Sequence, residues 1–174
     1  MANADARYGF RWAQHYSGGD PVVRQYIHAA ADAAAIGKGD LVDITGAADT
    51  VARGAAGGPF VGLSLSYTAA SLLANIDTII LDERSVLHAQ EDGVGGAIAA
   101  ASEGLNADVI VAVPSATTQL SGMEIDSSTV ATTSTLDLRL LGPLPAPDNT
   151  VASDAAKWLV LVNDLRFGDL KAGV

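Results

Sequence analysis

The residues whose types could do chemistry are three histidines, two adjacent acid pairs and two short glycine or serine motifs. His15, His28 and His88 are dispersed, with no two within five residues of one another. There is no His-Glu-x-x-His pattern and no cysteine, so neither imidazole nor thiolate spacing points to a metal site. His28 and His88 fall in expected strands and read as ordinary partly buried residues. Gly62-Leu63-Ser64-Leu65-Ser66 lacks the second glycine of a Gly-x-Ser-x-Gly nucleophile elbow. No phosphate-binding Gly-x-x-x-x-Gly-Lys-Ser/Thr loop exists, and Gly93-Val94-Gly95-Gly96 follows Glu91-Asp92, whose charges repel phosphate. That run reads as a turn. The pairs Asp82-Glu83 and Glu91-Asp92 flank an expected strand at 86–90 and so sit at its opposite ends. Paired-carboxylate hydrolysis needs two acids about 5–10 Å apart across a cleft, and no calcium loop with alternating Asp/Asn ligands is present. Both pairs read as solvated turn residues. The expectation is a chain with no catalytic residues, no cofactor and no metal, hence not an enzyme.

The elements that would position these residues are short and β-like. Strands are expected at 39–45, 60–67, 78–81, 86–90, 108–113, 136–140 and 158–162, with glycine, proline, asparagine and aspartate between them. In 60–67 the alternation puts Leu63, Leu65 and Tyr67 on one face and the serines on the other. In Leu136-Asp137-Leu138-Arg139-Leu140 it turns Asp137 and Arg139 outward. Trp158-Leu159-Val160-Leu161-Val162 is apolar on both faces and predicts a central or doubly covered strand. Two alanine runs, 29–35 and 97–101, have helix propensity but are short and bounded by glycines. The first reads as extended or loop, the second as loop or one short helix, and 66–75 as one or two helical turns. The fold class predicted is all-β: an antiparallel jelly-roll-like sandwich or small β-barrel with an extended N-terminal arm and at most one or two short helices.

That arm is residues 1–26, ahead of a single β domain at 27–174. It holds Tyr8, Phe10, Trp12, Tyr16 and Tyr26, five of the nine aromatics, and carries +1 against −11 for the remainder. Gly18-Gly19-Asp20-Pro21 closes its first part with turn chemistry. Aromatics with arginine compose an interface anchor, which makes Arg7, Tyr8, Phe10, Arg11 and Trp12 the candidate partner-binding residues. The same aromatics would equally serve a segment folded back onto its own core. If the arm is separable, deleting residues 1–16 leaves the domain folded.

Composition narrows the function classes. Of 174 residues, 49% are hydrophobic, but 32 of these are alanine, leaving about 30% of the chain for larger core side chains. Acids outnumber bases 20 to 10, a net charge of −10. So acidic a chain will not lie along a nucleic-acid backbone over a broad face. Mean hydropathy of +0.27 with 17% charged residues argues against disorder, and zero cysteine excludes a disulfide scaffold. No signal peptide follows Arg7 and Arg11, and no apolar run approaches the roughly 18 residues of a spanning helix. The expectation is a soluble chain made in the cytoplasm.

Several phrases, in order along almost the whole chain, resemble a family of tailed-bacteriophage capsid decoration, or cement, proteins. They are Met1-Ala2-Asn3-Ala4-Asp5-Ala6 with Tyr8-Gly9-Phe10-Arg11, then Gly39-Asp40-Leu41-Val42 and Leu105-Asn106-Ala107-Asp108. Leu120-Ser121-Gly122-Met123-Glu124-Ile125-Asp126-Ser127-Ser128 follows, then Leu136-Asp137-Leu138-Arg139-Leu140-Leu141-Gly142, Pro147-Asp148-Asn149 and Ala156-Lys157-Trp158-Leu159-Val160. Two departures stand out: the family pattern has proline where this chain has Trp12, and the region 66–81 is shorter and less alike. The resemblance implies a non-enzymatic virion protein on the outer surface of an HK97-type capsid shell. Its partners would be the major capsid protein and other copies of itself, as a trimer at three-fold or a dimer at two-fold positions, with no nucleic acid and no membrane. Such a protein adds many modest interfaces that the lattice sums, and a net charge of −10 keeps free copies apart.

Two other classes compete. A ligand- or glycan-binding β-domain of a virion fibre or adhesin needs an exposed aromatic platform, whereas these aromatics cluster near one terminus. An enzyme on a β-barrel of the cupin kind needs several inward histidines and a carboxylate, whereas three dispersed histidines offer no such set.

Overall fold

Strands form in this chain where apolar and β-branched residues alternate with small or polar ones, and they end at glycine, proline and aspartate turns. The computed structural model describes residues 3–46 and 49–167. Met1 and Ala2 of the N-terminal phrase, and the last part of the expected domain at 168–174, lie outside the described residues.

In chain order the strands are β1 (Arg11–His15), β2 (Val23–His28), β3 (Leu41–Ile44), β4 (Thr50–Arg53), β5 (Gly62–Ser64), β6 (Ala74–Ile80), β7 (Ser85–Gln90), β8 (Asn106–Ala107), β9 (Val109–Ile110), β10 (Glu124–Ile125), β11 (Leu138–Pro143) and β12 (Lys157–Val162). The only helical pieces among the described residues are two single 3-10 turns, Ala100–Ser102 and Ser127–Thr129. The fold is all-β, as the strand pattern predicts.

Two sheets carry it. β2-β4-β3-β5-β6 close into a five-stranded barrel, and β1-β7-β12-β11-β8 form an open five-stranded sheet, with β9 and β10 as a separate pair. The open sheet is antiparallel throughout. The barrel is antiparallel except where it closes: β2 runs parallel to β4, with Ile27 opposite Thr50 and His28 opposite Val51. The main core lies between the open sheet and one side of the barrel, where Leu87, Leu138, Leu140, Trp158 and Val160 meet Phe10, Leu41, Phe60 and Leu63. A smaller core of Tyr26, Ile36, Val42, Val51, Val61 and Ile76 fills the barrel.

β12 is central, between β7 and β11. It buries Trp158, Val160 and Val162 and leaves Leu159 and Leu161 half-buried, so it is centrally placed but covered fully on one face only. The run at 29–35 is a loop, and 97–101 leads into the Ala100–Ser102 turn.

Several expectations are corrected. Residues 66–75 are not helical: the Ser64 hydroxyl donates to the Ser66 carbonyl, Thr68 pairs with Ile36 as an isolated bridge, and Ser71 has φ 58°. These bonds hold the backbone in turns, and Ala74 already begins β6. The strand expected at 60–67 narrows to three residues, with Ser64 buried and Leu65 exposed. The strand at 108–113 narrows to Val109–Ile110, and Val113 is exposed. Asp137 does not point outward: it is fully buried and accepts backbone N–H bonds from Gly57 and Val109. Glu91 is likewise buried rather than solvated, accepting from the N–H groups of Ile98 and Ala156.

Residues 1–26 do not form a separate arm among the described residues. Arg11–His15 pairs with β7 as a sheet edge, and Val23–His28 pairs along its whole length with β6 inside the barrel, crossing the boundary set at residue 26. The Arg-Trp-Ala-Gln-His run lacks clean alternation because an edge strand meets apolar surface only in part. A β-bulge between Trp12 and Gln14 breaks the register further.

Candidate functional site

The segment ahead of β1 is fastened at nearly every residue. Asn3 donates to the backbone carbonyls of Thr150, Ser153 and Asp154 and accepts from the Thr150 N–H. Asp5 accepts from the Gln90 amide, and the Ala6 N–H donates to the same side chain. Arg7 Nε lies 2.9 Å from Glu124 Oε2, which places a counter-ion over a buried carboxylate. The Tyr8 hydroxyl meets His88 Nδ1 at 3.2 Å. Phe10 is 1% exposed in the main core, and its N–H donates to the Gly39 carbonyl.

Two glycines permit that approach. Gly9 (φ 73°) and Gly39 (φ 92°) both sit in the left-handed region that disfavours side chains. A Cβ on Gly39 would lie 2.8 Å from the carbonyl oxygens of both Tyr8 and Phe10, and one on Gly9 would lie 2.6 Å from the Gly39 oxygen.

The five candidate partner-binding residues therefore divide. Phe10 is consumed by the core, the fold-back role that aromatic composition also allowed. Arg7 is committed to Glu124, and Tyr8 is half-buried beneath Arg11, whose guanidinium carbon lies 4.5 Å from the Tyr8 ring centroid. Burial pushes the Tyr8 phenol up to about 12, with Arg11 opposing. Arg11 is exposed, and Trp12 is partly exposed and stacked on His15, ring centroids 6.4 Å apart. Removing residues 1–16 would remove a core phenylalanine and an edge strand together, so this segment is not separable from the fold.

Arg11 and Trp12 border a groove of about 270 Å³ between β1 and the barrel. Tyr8, Phe10, Leu63, Leu65 and Leu120 supply apolar lining, and Arg11 and Lys38, both exposed, are its cations. Sequence reasoning reached Arg11 and Trp12 through composition. It missed Lys38, Leu65 and Leu120, which only the tertiary fold brings to the same place.

Four carboxyl groups titrate high because burial disfavours their charge. Glu91 and Glu124 are pushed up to about 7, and Asp40 and Asp137 to about 6. Backbone N–H bonds oppose the rise at Glu91, Asp40 and Asp137, and Arg7 opposes it at Glu124. Each is tied to its own structural donors, and none opens into the groove.

The most catalysis-like geometry is at His15. Its Nδ1 lies 2.6 Å from the Ser17 hydroxyl, and its Nε2 lies 2.9 Å from an Asp82 oxygen. The connectivity is that of an activated serine. The backbone donor next to that serine is spent, however: the Gly18 N–H bonds the His15 carbonyl at 2.8 Å, so it offers no help to a developing oxyanion. The Ser17 N–H also donates to His15 Nδ1, competing with the hydroxyl for the same lone pair. The arrangement latches the turn after β1. Among the described residues no group of three or more metal-ligating side chains is placed to hold an ion, and no helix is long and apolar enough to cross a membrane.

Comparison with known proteins yields no match to any family model, to any curated protein or to any solved structure.

Proposed function

We propose that this chain is a structural capsid decoration protein. It binds the outer surface of an HK97-type phage shell and stabilises it by bridging neighbouring copies of the major capsid protein. The ordered phrases quoted above support the family, and an all-β fold suits it. The observation that carries the reading is apolar exposure on an otherwise acidic molecule. Val22 and Val23, at the entry to β2, are 68% and 52% exposed, and Leu72 and Leu73, before the paired strand β6, are 53% and 67% exposed. The antiparallel register sets these two pairs at opposite ends of the β2–β6 ladder, two exposed apolar spots that a partner can cover. A protein used in many copies on a lattice has such spots and needs no catalytic set.

In this reading the chain acts in the virion, is made in the host cytoplasm, and meets both the shell and sister copies at three-fold or two-fold positions. Arg11 and Trp12 are its accessible contacts in the N-terminal segment. The test is sedimentation of purified chain with undecorated shells. Saturable co-pelleting at a fixed number of copies per shell, together with greater resistance of the shell to heat, is expected. Failure to pellet, or pelleting without a stoichiometric plateau, overturns the reading. Specific retention on a glycan array without shell binding would transfer the chain to the fibre or adhesin class.

A further inference from the structure

The groove between β1 and the barrel has a charge character opposite to that of the chain. Acids outnumber bases two to one overall, yet the groove is lined by two cations, Arg11 and Lys38, and by no carboxylate. Both cations are exposed, and neither takes part in an ion pair among the described residues. Arg7, Arg24, Lys157 and Arg166 are each matched to an acid, while Arg53, Arg84 and Arg139 form no ion pair among the described residues but do not line the groove. Arg11 and Lys38 share the groove with Trp12, Leu65 and Leu120, whose apolar surface encloses about the volume of one or two side chains. One wall is β1, which pairs with β7 on one side only and is an edge of its sheet.

An edge strand, an apolar lining and two cations outside any ion pair together define one kind of occupant. We propose that the groove binds an extended segment of a partner protein in which apolar side chains alternate with carboxylates. A strand laid along β1 turns alternate side chains to opposite sides. Its apolar residues meet Trp12, Leu65 and Leu120, and its carboxylates meet Arg11 and Lys38. Partly desolvated arginine–carboxylate contacts set specificity and register. The proposal stands apart from the capsid reading, because it names the chemistry of the segment and is tested on the isolated chain.

The test uses a blocked pentapeptide of alternating aspartate and leucine, its lysine–leucine counterpart, and dodecanoate as a free apolar carboxylate. Affinity is read by calorimetry and location by tryptophan emission. Trp158 is fully buried, so a ligand-induced change comes from Trp12, and Trp12→Phe removes it. The acidic peptide is expected to bind saturably and shift the emission, the basic peptide to bind at least tenfold more weakly, and the paired variant Arg11→Glu with Lys38→Glu to lose at least tenfold in affinity. Leu65→Asp, at an exposed position, is expected to weaken binding likewise and carries the test if the paired variant does not fold. No saturable binding of the acidic peptide at millimolar concentration, equal binding of the basic peptide, or unchanged affinity in the folded variants overturns the proposal. Dodecanoate binding as tightly as the peptide also overturns it, because the occupant would then be a free carboxylate rather than a strand.

Discussion

The open sheet buries Trp158, Leu87, Leu138, Leu140 and Val160 in one continuous core, whereas the barrel closes around Tyr26, Ile36, Val42, Val51 and Ile76 with buried His28 and Thr78 nearby. The sheet is held by apolar area. The barrel has fewer large side chains and is held by closure, every one of its strands having a neighbour on both sides. The difference shows how an alanine-rich chain can fold. Its few large residues concentrate at the sheet–barrel seam, and the barrel abolishes its edges instead of enlarging its core. It also leaves edges on the open sheet, and one of its two edge strands, β1, borders the groove.

The comparison can be broken first at the seam. Trp158→Ala is expected to cost about 3–5 kcal/mol and to lower the stability of both halves in one transition, because Trp158 shares a core with barrel residues Leu41 and Leu63. Chemical denaturation followed separately by fluorescence and circular dichroism checks this. Two non-coincident transitions would mean that the halves are independent.

Acidity comes next. Glu91, Glu124, Asp40 and Asp137 bind protons more tightly when folded than an ordinary carboxyl of pKa about 4 does when unfolded. Between about pH 4 and pH 7 the native state therefore holds more protons than the unfolded one, and stability falls as pH rises through that window. The melting temperature should be higher at pH 5 than at pH 8. Glu124→Gln should shrink that difference, since it removes one of the groups responsible.

A smaller effect is expected from Gly39→Ala. Its Cβ would crowd the Tyr8 and Phe10 carbonyls at a positive φ, costing about 2 kcal/mol and loosening the segment on Asn3 to Phe10. Faster amide exchange at residues 3–10 than at β12 would report it. In the barrel core, Ile76→Val should cost about 1 kcal/mol. Smallest is Arg24→Ala near the start of β2. Arg24 and Asp49 form an ion pair exposed on both sides, so urea denaturation should show a loss under about 1 kcal/mol.

How much of this was legible in the sequence follows from how local each signal is. β12, β7 and β3 announce themselves through short apolar and β-branched runs that need no knowledge of the partner strand. β1 does not, because Arg11, Ala13 and Gln14 face solvent at an edge. The buried positions of Glu91 and Asp137 were not legible: an acid in an alternating run reads as outward, and only distant donors such as Gly57 and Ile98 make burial tolerable. The turns at 66–73 read as helix because their alanines and leucines favour one, until tertiary bonds from Ile36 and Ser64 impose another path. Of the groove, the half contributed by Arg11 and Trp12 could be picked out as an unusual cluster. The half contributed by Lys38, Leu65 and Leu120 comes from chain segments tens of residues away.

The most direct test of the proposed role is electron microscopy of HK97-type phage shells incubated with this chain. Ordered density for it is expected outside the shell, at three-fold or two-fold positions, with Val22 and Val23 at one end of the β2–β6 ladder or Leu72 and Leu73 at the other covered by capsid protein or a sister copy. A shell without this chain on its outer surface, or a chain bound there with both ends facing solvent, would contradict it.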